Sequence, residues 1–320
     1  MKLTQKKPAT HLKTALFGLG SMGYGMAQSL LRGKHDVYGF DVMPDQMKRF
    51  QAEGGTPIAV GQTAKDIAKD VTAVVVVVLN AEQTEAVLFG DDGIVPYLSD
   101  GAVVISCATL APAFAVEMAG RCAAQGILYL DAPISGGSIK AAAGQLSVMA
   151  AGNAAAFSAA QPVLDATAET VFKMGDSAGA GSVMKSVNQL LAGVHIAAMA
   201  EAMTFGMQQG LDPQRFLDVI AKCAGTSWML ENRAPHIIAG DYTPHSSVNI
   251  WLKDLGIVLD IAKQNKFAAP ITATALQQYV AAASMGLGGE DDAAVAKVYA
   301  RNSGQSLPGD IGGDIGAEVK

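Results

Sequence analysis

The chain has 320 residues, half of them hydrophobic, which is enough for two domains with sizeable cores. Its 23 basic residues against 29 acidic ones leave a net charge of −6, which excludes the basic surface that nucleic-acid or membrane-surface binding requires. Three cysteines without CxxC spacing, and five histidines without HxxxH or HExxH spacing, point to reduced thiols in a cytoplasmic protein with no disulfide framework and no metal site.

The N-terminus is basic, but no apolar stretch follows it that would suit a signal peptide. The most apolar run, 73–79, is far too short to span a bilayer. A soluble protein is expected.

In chain order, a strand at 14–17 leads into Gly18-Leu19-Gly20-Ser21-Met22-Gly23, a helix at 24–32 and a second strand at 36–40 that ends at Asp41. This is GxGxxG in the setting that gives it meaning: strand, glycine turn, helix, strand, acid. The first glycine makes the tight turn and the second lets a pyrophosphate approach the backbone. The third lets helix and strand pack closely, while the helix N-terminus supplies N–H donors and a positive dipole end. Asp41, about 20 residues past the turn, can accept both ribose hydroxyls of NAD and would repel the 2′-phosphate of NADP. No arginine stands in 42–44 to receive that phosphate, so NAD is the expected cofactor.

Helices at 46–52 and 64–68, a central strand at 73–79, a strand at 102–105, a helix at 112–125 and a strand at 127–130 continue the alternation. Repeated βα units of this kind build a mostly parallel sheet covered on both faces. Ligands sit beyond the C-terminal strand ends of such sheets, which brings three loops toward the cofactor: Leu79-Asn80-Ala81, Cys107-Ala108-Thr109 and Asp131-Ala132-Pro133. Cys107 has no basic partner nearby in sequence and reads as structural.

Ser135-Gly136-Gly137 follows, offering a hydroxyl and backbone N–H groups. These residues suit either an anion-binding nest for a substrate carboxylate or an ordinary Gly/Ser loop. Strands at 145–150 and 170–173 close the first domain.

From Ser177 the pattern is helical only, with a long first helix running to about Gln209 and Ser182 as its expected cap. Lys185, Asn188 and Gln189 fall at i, i+3 and i+4, one amine and two amides on a single face. An amine on a half-buried helix is either a tuned acid/base or a solvated surface lysine. His195, on the apolar body of the helix, reads as a packed core residue. Further helices are expected at 213–222, 227–238, 248–264, 271–284 and 293–301. Lys253 stands among Trp251, Leu252 and Leu255, where it either snorkels or faces an anion.

The fold expectation is an α/β Rossmann-type N-terminal domain over 1–176, then an all-α C-terminal domain over 177–303. A Gly-rich, disordered tail containing GDIGGDIG is expected over 304–320.

Four signatures in this order, GLGSMG (18–23), DAPISGGSIKAAAGQL (131–146), GAGSVMKSVNQ (179–189) and WLKDL (251–255), resemble the β-hydroxyacid dehydrogenase family, the group of 3-hydroxyisobutyrate dehydrogenase and tartronate semialdehyde reductase. The resemblance covers nearly the whole chain between Lys13 and Arg301. It implies that Lys185 is the catalytic acid/base and that Ser135, Gly136 and Gly137 hold the substrate carboxylate. It also implies that Asn188 and Gln189 bind the substrate, with Asn188 orienting it. Gly18, Leu19, Gly20, Ser21, Met22, Gly23, Asp41, Val78, Leu79, Asn80, Thr109 and Lys253 are implied to contact the dinucleotide. The KSVNQ detail is similar to members acting on four-carbon sugar acids such as L-threonate. Pro244-His245-Ser246 stands where the family usually carries Pro-Gly-Phe.

Motifs and resemblance together point to an NAD-dependent oxidoreductase acting on a small hydroxy acid, as a homodimer or homotetramer. The alternatives are a tartronate semialdehyde reductase, a 3-hydroxyisobutyrate dehydrogenase, or a dinucleotide-binding module without chemistry.

Overall fold

The computed structural model describes residues 11–58 and 64–308. Backbone contacts divide the chain into two compact units, Met1–Ser186 and Val187–Lys320.

The first unit alternates strands and helices: β1 (Lys13–Phe17), α1 (Ser21–Arg32), β2 (Asp36–Phe40), α2 (Pro44–Ala52), β3 (Thr56–Pro57), α3 (Ala64–Ala68), β4 (Ala73–Val76) and α4 (Ala81–Phe89). It continues with β5 (Val103–Ser106), α5 (Pro112–Ala123), β6 (Leu128–Asp131), β7 (Ile134–Ser135), α6 (Gly137–Ala143), β8 (Leu146–Ala151), α7 (Ala154–Thr167) and β9 (Ala168–Gly175). Among the described residues the strands form one sheet in the order β3-β2-β1-β4-β5-β6-β8-β7, with β9 also paired to β8. Every pair from β3 to β6 is parallel, while β8 runs antiparallel to β6 and β7. This is the mostly parallel, doubly wound sheet expected from the βα rhythm.

Strand residues alternate between two cores, because successive side chains point to opposite faces. Leu16, Val75, Ile105 and Leu130 enter one core, while Ala15, Phe17, Val76, Val104 and Tyr129 enter the other. All four residues of β4 are completely buried, which is why it reads as an unbroken valine run rather than an alternating one. Each buried valine contributes about 1.5–3 kcal/mol relative to exposure.

Two expectations about elements are corrected by the fold. The strand expected over 73–79 ends at Val76, and Leu79 is about half exposed at 49 %. Helices α4 and α7 lie where no helix was expected; α7 is Ala-rich and carries Pro162 inside it, which hides its period. The opening turns of the next helix, through Ser186, group with the first unit, and they are bonded to the end of β6.

That helix is α8 (Ala180–Gln208). By length and composition it could cross a membrane, unlike the run at 73–79. Its Ile196, Met199, Ala200 and Met203 are instead buried in the core of the second unit. The second unit continues with α9 (Pro213–Ile220), α10 (Trp228–Ala239), α11 (Val248–Gln264), α12 (Pro270–Ala282) and α13 (Ala296–Asn302). Gly193 on α8 is needed for this packing, since a Cβ there would lie 2.8 Å from Trp251 Cε3. The hydroxyl of Tyr279 donates to the Gly193 carbonyl at 2.8 Å. His195 is half-buried on the same helix.

The expected tail begins too early. Leu307 is buried in the second core, and the GDIGGDIG stretch lies outside the described residues.

Candidate active site

The glycine turn after β1 is built by contacts that exclude side chains. Gly18 has φ +96°, and a Cβ on it would sit 2.5 Å from the Val77 carbonyl oxygen. A Cβ on Gly23 would meet the Gly18 carbonyl oxygen at 1.9 Å. Those two glycines are required by the fold itself. Gly20 differs, because a Cβ there would meet nothing within 4 Å. Its lack of a side chain keeps open the space above the start of α1. The N-cap residue is Gly20, which has no side chain to cap the helix, and no acid stands in its first turn, so the turn fits a pyrophosphate.

Asp41 closes the turn. Leu19 N–H donates to its Oδ2 at 2.7 Å, and Met43 N–H to its Oδ1 at 2.8 Å. Two of roughly four lone-pair positions on the carboxylate are thereby used, leaving acceptors for a ribose diol.

Beyond β4, Asn80 caps α4: its Oδ1 accepts from Gln83 N–H at 2.8 Å, and Gln83 Oε1 accepts from Leu79 N–H at 2.9 Å. The cap uses one lone pair of the Asn80 amide oxygen and does not involve its Nδ2 donors. Thr109 is half-buried in the loop after β5. Cys107 is buried beside it, and burial pushes its thiol up to about 12, which suits the structural reading.

The centre of the site lies where β6 ends. Asp131, only 1 % exposed, accepts from Gly179 N–H at 2.8 Å, Ser182 N–H at 2.9 Å and Ser182 Oγ at 2.7 Å. Ser182, expected as the cap of α8, is inside the helix and donates; the acceptor that caps the helix is Asp131. Burial pushes the Asp131 carboxyl above its ordinary range, against the opposing pull of these donors. Gly181 permits the approach, since its Cβ would stand 2.3 Å from the Met149 carbonyl oxygen and 2.8 Å from that of Asp131.

One turn along α8, Lys185 is 8 % exposed, and its Nζ donates to the Ile134 carbonyl at 2.8 Å. Ile134 is followed directly by Ser135, Gly136 and Gly137. Both glycines have positive φ, +138° and +77°, and a Cβ on Gly137 would meet nothing within 4 Å. An amine thus sits at the strand that opens into a run of glycine backbone N–H groups. That pairing can hold a carboxylate and move a proton.

In the second unit, Asn188 Nδ2 donates to Gln189 Oε1 at 2.9 Å, and Gln189 Nε2 donates to Asp254 Oδ2. Gln189 is therefore engaged at both ends of its amide. Lys253 Nζ lies 2.8 Å from Asp254 Oδ1. The approach misses hydrogen-bond geometry, and Oδ1 is left without a donor.

Sequence reasoning missed Asp131 as the anchor of α8 and Asp254 as the partner of Gln189. The signal for Asp131 was present, since it is an acid closing an otherwise apolar strand. For Asp254 there was none, because its partner lies 65 residues away.

Comparison with known proteins fits this geometry. A family model described as the NAD binding domain of 6-phosphogluconate dehydrogenase matches residues 13–175. Another, described as NAD-binding of NADP-dependent 3-hydroxyisobutyrate dehydrogenase, matches residues 179–299. L-threonate dehydrogenase of Cupriavidus necator is 49% identical over 294 residues, covering 92% of this chain and 97% of its own. The protein of that name from Escherichia coli K12 is 42% identical over 303 residues, covering 95% and 99%. A crystal structure described as 3-hydroxyisobutyrate dehydrogenase from Salmonella typhimurium is 44% identical, with TM-score 0.84, covering 90% of this chain and 99% of that one.

Proposed function

The chain belongs to the β-hydroxyacid dehydrogenase family and is an NAD-dependent oxidoreductase, and from that premise we propose that it oxidises L-threonate or a closely related four-carbon sugar acid, with Lys185 as its acid/base. The observation that carries this reading is the Lys185 amine, held by the Ile134 carbonyl next to Ser135-Gly136-Gly137.

Gly18, Leu19, Gly20, Ser21, Met22 and Gly23 would hold the pyrophosphate of NAD, with Asp41 on its ribose. Val78, Leu79, Asn80, Thr109 and Lys253 are assigned to the rest of the cofactor. NAD, when bound, supplies the hydride acceptor. Ser135, Gly136 and Gly137 bind the substrate carboxylate through the Ser135 hydroxyl and backbone N–H groups. Asn188 orients the substrate, with Gln189 fixing the Asn188 amide. Lys185 Nζ, as the neutral amine, takes the proton of the substrate hydroxyl as the C–H bond on the same carbon breaks, and returns it in the reverse direction. The hydrogen bond to Ile134 holds the amine beside Ser135-Gly136-Gly137.

The substrate follows from the names of the similar proteins together with the KSVNQ match. The Salmonella structure is described by another name, 3-hydroxyisobutyrate dehydrogenase, which keeps that substrate as the second reading. Tartronate semialdehyde reduction is a third. The discriminating experiment follows NAD reduction with L-threonate, D-threonate, D-glycerate, 3-hydroxyisobutyrate and 3-hydroxypropionate. The proposal expects the highest kcat/KM on L-threonate. A preference for 3-hydroxyisobutyrate would replace it, and NADH binding without turnover on any acid would make the chain a non-catalytic dinucleotide module.

We also assign the protein to the cytoplasm, as a homodimer or homotetramer. Val187, Leu191 and Phe205 leave apolar surface exposed on α8, which a second copy of the chain would cover. Light scattering of the purified protein tests this, and a monomer at micromolar concentration would reject it.

A further inference from the structure

We propose that Asp131 is a positioning residue for Lys185: its carboxylate clamps the opening turn of α8 and thereby sets where the amine sits. This inference rests on the reading of Lys185 as the acid/base and goes beyond it, because Asp131 itself touches neither substrate nor cofactor in that reading.

The geometry is a two-point hold. At the helix start, the two oxygens of Asp131 receive Gly179 N–H, Ser182 N–H and the Ser182 hydroxyl, all within 2.9 Å. At the tip of the side chain, Lys185 Nζ donates to the carbonyl of Ile134, a residue of the strand that follows β6. Both holding groups therefore come from one short segment, 131–134, which runs straight into Ser135-Gly136-Gly137. The segment that would seat the carboxylate also fixes the base.

Ser182 and Lys185 are three residues apart, about 4.5 Å along the helix axis, so a displaced first turn carries the amine with it. The approach is tight as well as bonded, since at Gly181 even a methyl group would stand 3.1 Å from Asp131 Oδ2. Asp131 is 1 % exposed, so in the intact protein its carboxylate, not bulk water, accepts from these three donors.

An asparagine at 131 could keep the hold. Its carbonyl oxygen has two lone pairs for the two N–H groups, and its NH2 could donate to the Ser182 hydroxyl, turned to accept. Alanine could keep none of it. Ser182→Ala would remove one of the three bonds and leave the two from the backbone.

The test compares Asp131→Ala, Asp131→Asn and Ser182→Ala with a control, Asn153→Ala, which removes the cap of α7, where Asn153 Oδ1 accepts from Ala156 N–H at 2.8 Å. Each is assayed as the full chain, with kcat, KM, NADH affinity by fluorescence, and the primary deuterium isotope effect on hydride transfer. Asp131→Ala is expected to lose about ten- to a hundredfold in kcat, as displacement of a reacting group by about 1 Å does. NADH affinity should stay unchanged and the isotope effect should rise. Ser182→Ala should show a smaller loss, Asp131→Asn should recover most of kcat, and Asn153→Ala should lose stability but not kcat.

Folded Asp131→Ala with kcat within about twofold of the unaltered protein overturns the proposal, as does a kcat loss that only tracks weakened NADH binding. If Asp131→Ala does not fold, Ser182→Ala decides, and kcat equal to that of Asn153→Ala overturns the proposal. Lys185→Ala separates the two levels. Full turnover in that variant removes the acid/base reading, whereas an inactive Lys185→Ala beside unaffected Asp131 and Ser182 variants removes only the positioning role.

Discussion

The backbone N–H of Leu19, inside the glycine turn, donates to Oδ2 of Asp41 at the end of β2 at 2.7 Å. The carboxylate therefore shapes the turn that would receive the pyrophosphate while it offers lone pairs to the ribose. Asp41→Ser removes the negative charge and shortens the reach to Leu19. Its kcat/KM with NAD should fall, and the preference for NAD over NADP should drop at least about tenfold, equivalent to 1.4 kcal/mol. Steady-state rates with both cofactors measure this, and an unchanged ratio would show that selection lies elsewhere.

Lys185→Ala should lose on the order of 10²–10⁴ in kcat, the usual contribution of a positioned general base. NADH binding should be retained, because the glycine turn and Asp41 do not involve this side chain. Lys185→Arg should not restore turnover, since a guanidinium stays charged and cannot take the hydroxyl proton. Stopped-flow hydride transfer in the two variants makes the comparison directly.

The first unit was legible where its chemistry is local. The glycine turn, Asp41 and the valine run of β4 each announce themselves within a few residues, because tight turns and doubly buried strands leave little choice of side chain. Lys185 on a helix was legible for the same reason. Asp131 stood out as an acid closing an apolar strand, but its partner Ser182 did not, since the two are 51 residues apart and only the fold brings them together. α7 was missed because an alanine-rich helix interrupted by Pro162 shows almost no amphipathic contrast. Asn80 reads from sequence as a cofactor-loop residue, and its side-chain oxygen also starts α4. Caps and ligand-contacting loops draw on the same short polar residues, so sequence alone does not separate them.

Arg233 supports the second unit from within. Its Nε lies 2.5 Å from Oδ1 of Asp292, which is fully buried and also accepts from Trp251 Nε1 at 2.9 Å. Arg233→Ala would strand that carboxylate, at a cost of about 3–5 kcal/mol. The deficit should depend on pH. Burial already pushes the Asp292 carboxyl up, and the guanidinium opposes this. Without the arginine, the folded pKa would rise further above the unfolded value. The variant is then least penalised at low pH, where Asp292 is protonated in both states, and loses stability as pH rises through the folded pKa. Denaturant melts at pH 5 and pH 8 should show the larger deficit at pH 8.

The three thiols should react in two classes. Cys107 and Cys122 are buried in the first unit, and burial pushes both up to about 12, whereas Cys223 is exposed just past α9. At pH 8 only about one in ten thousand of the buried thiols would be ionised, and neither is open to a bulky reagent. A chromogenic disulfide reagent should therefore label one cysteine per chain quickly in the folded protein and all three in denaturant. Rapid labelling of Cys107 without denaturant would mean that the core on its face of the sheet opens under native conditions, and labelling of Cys122 would report the core on the opposite face. Opening at Cys107 would weaken the packing beneath the Cys107–Thr109 loop and, with it, the assignment of Thr109 to the cofactor.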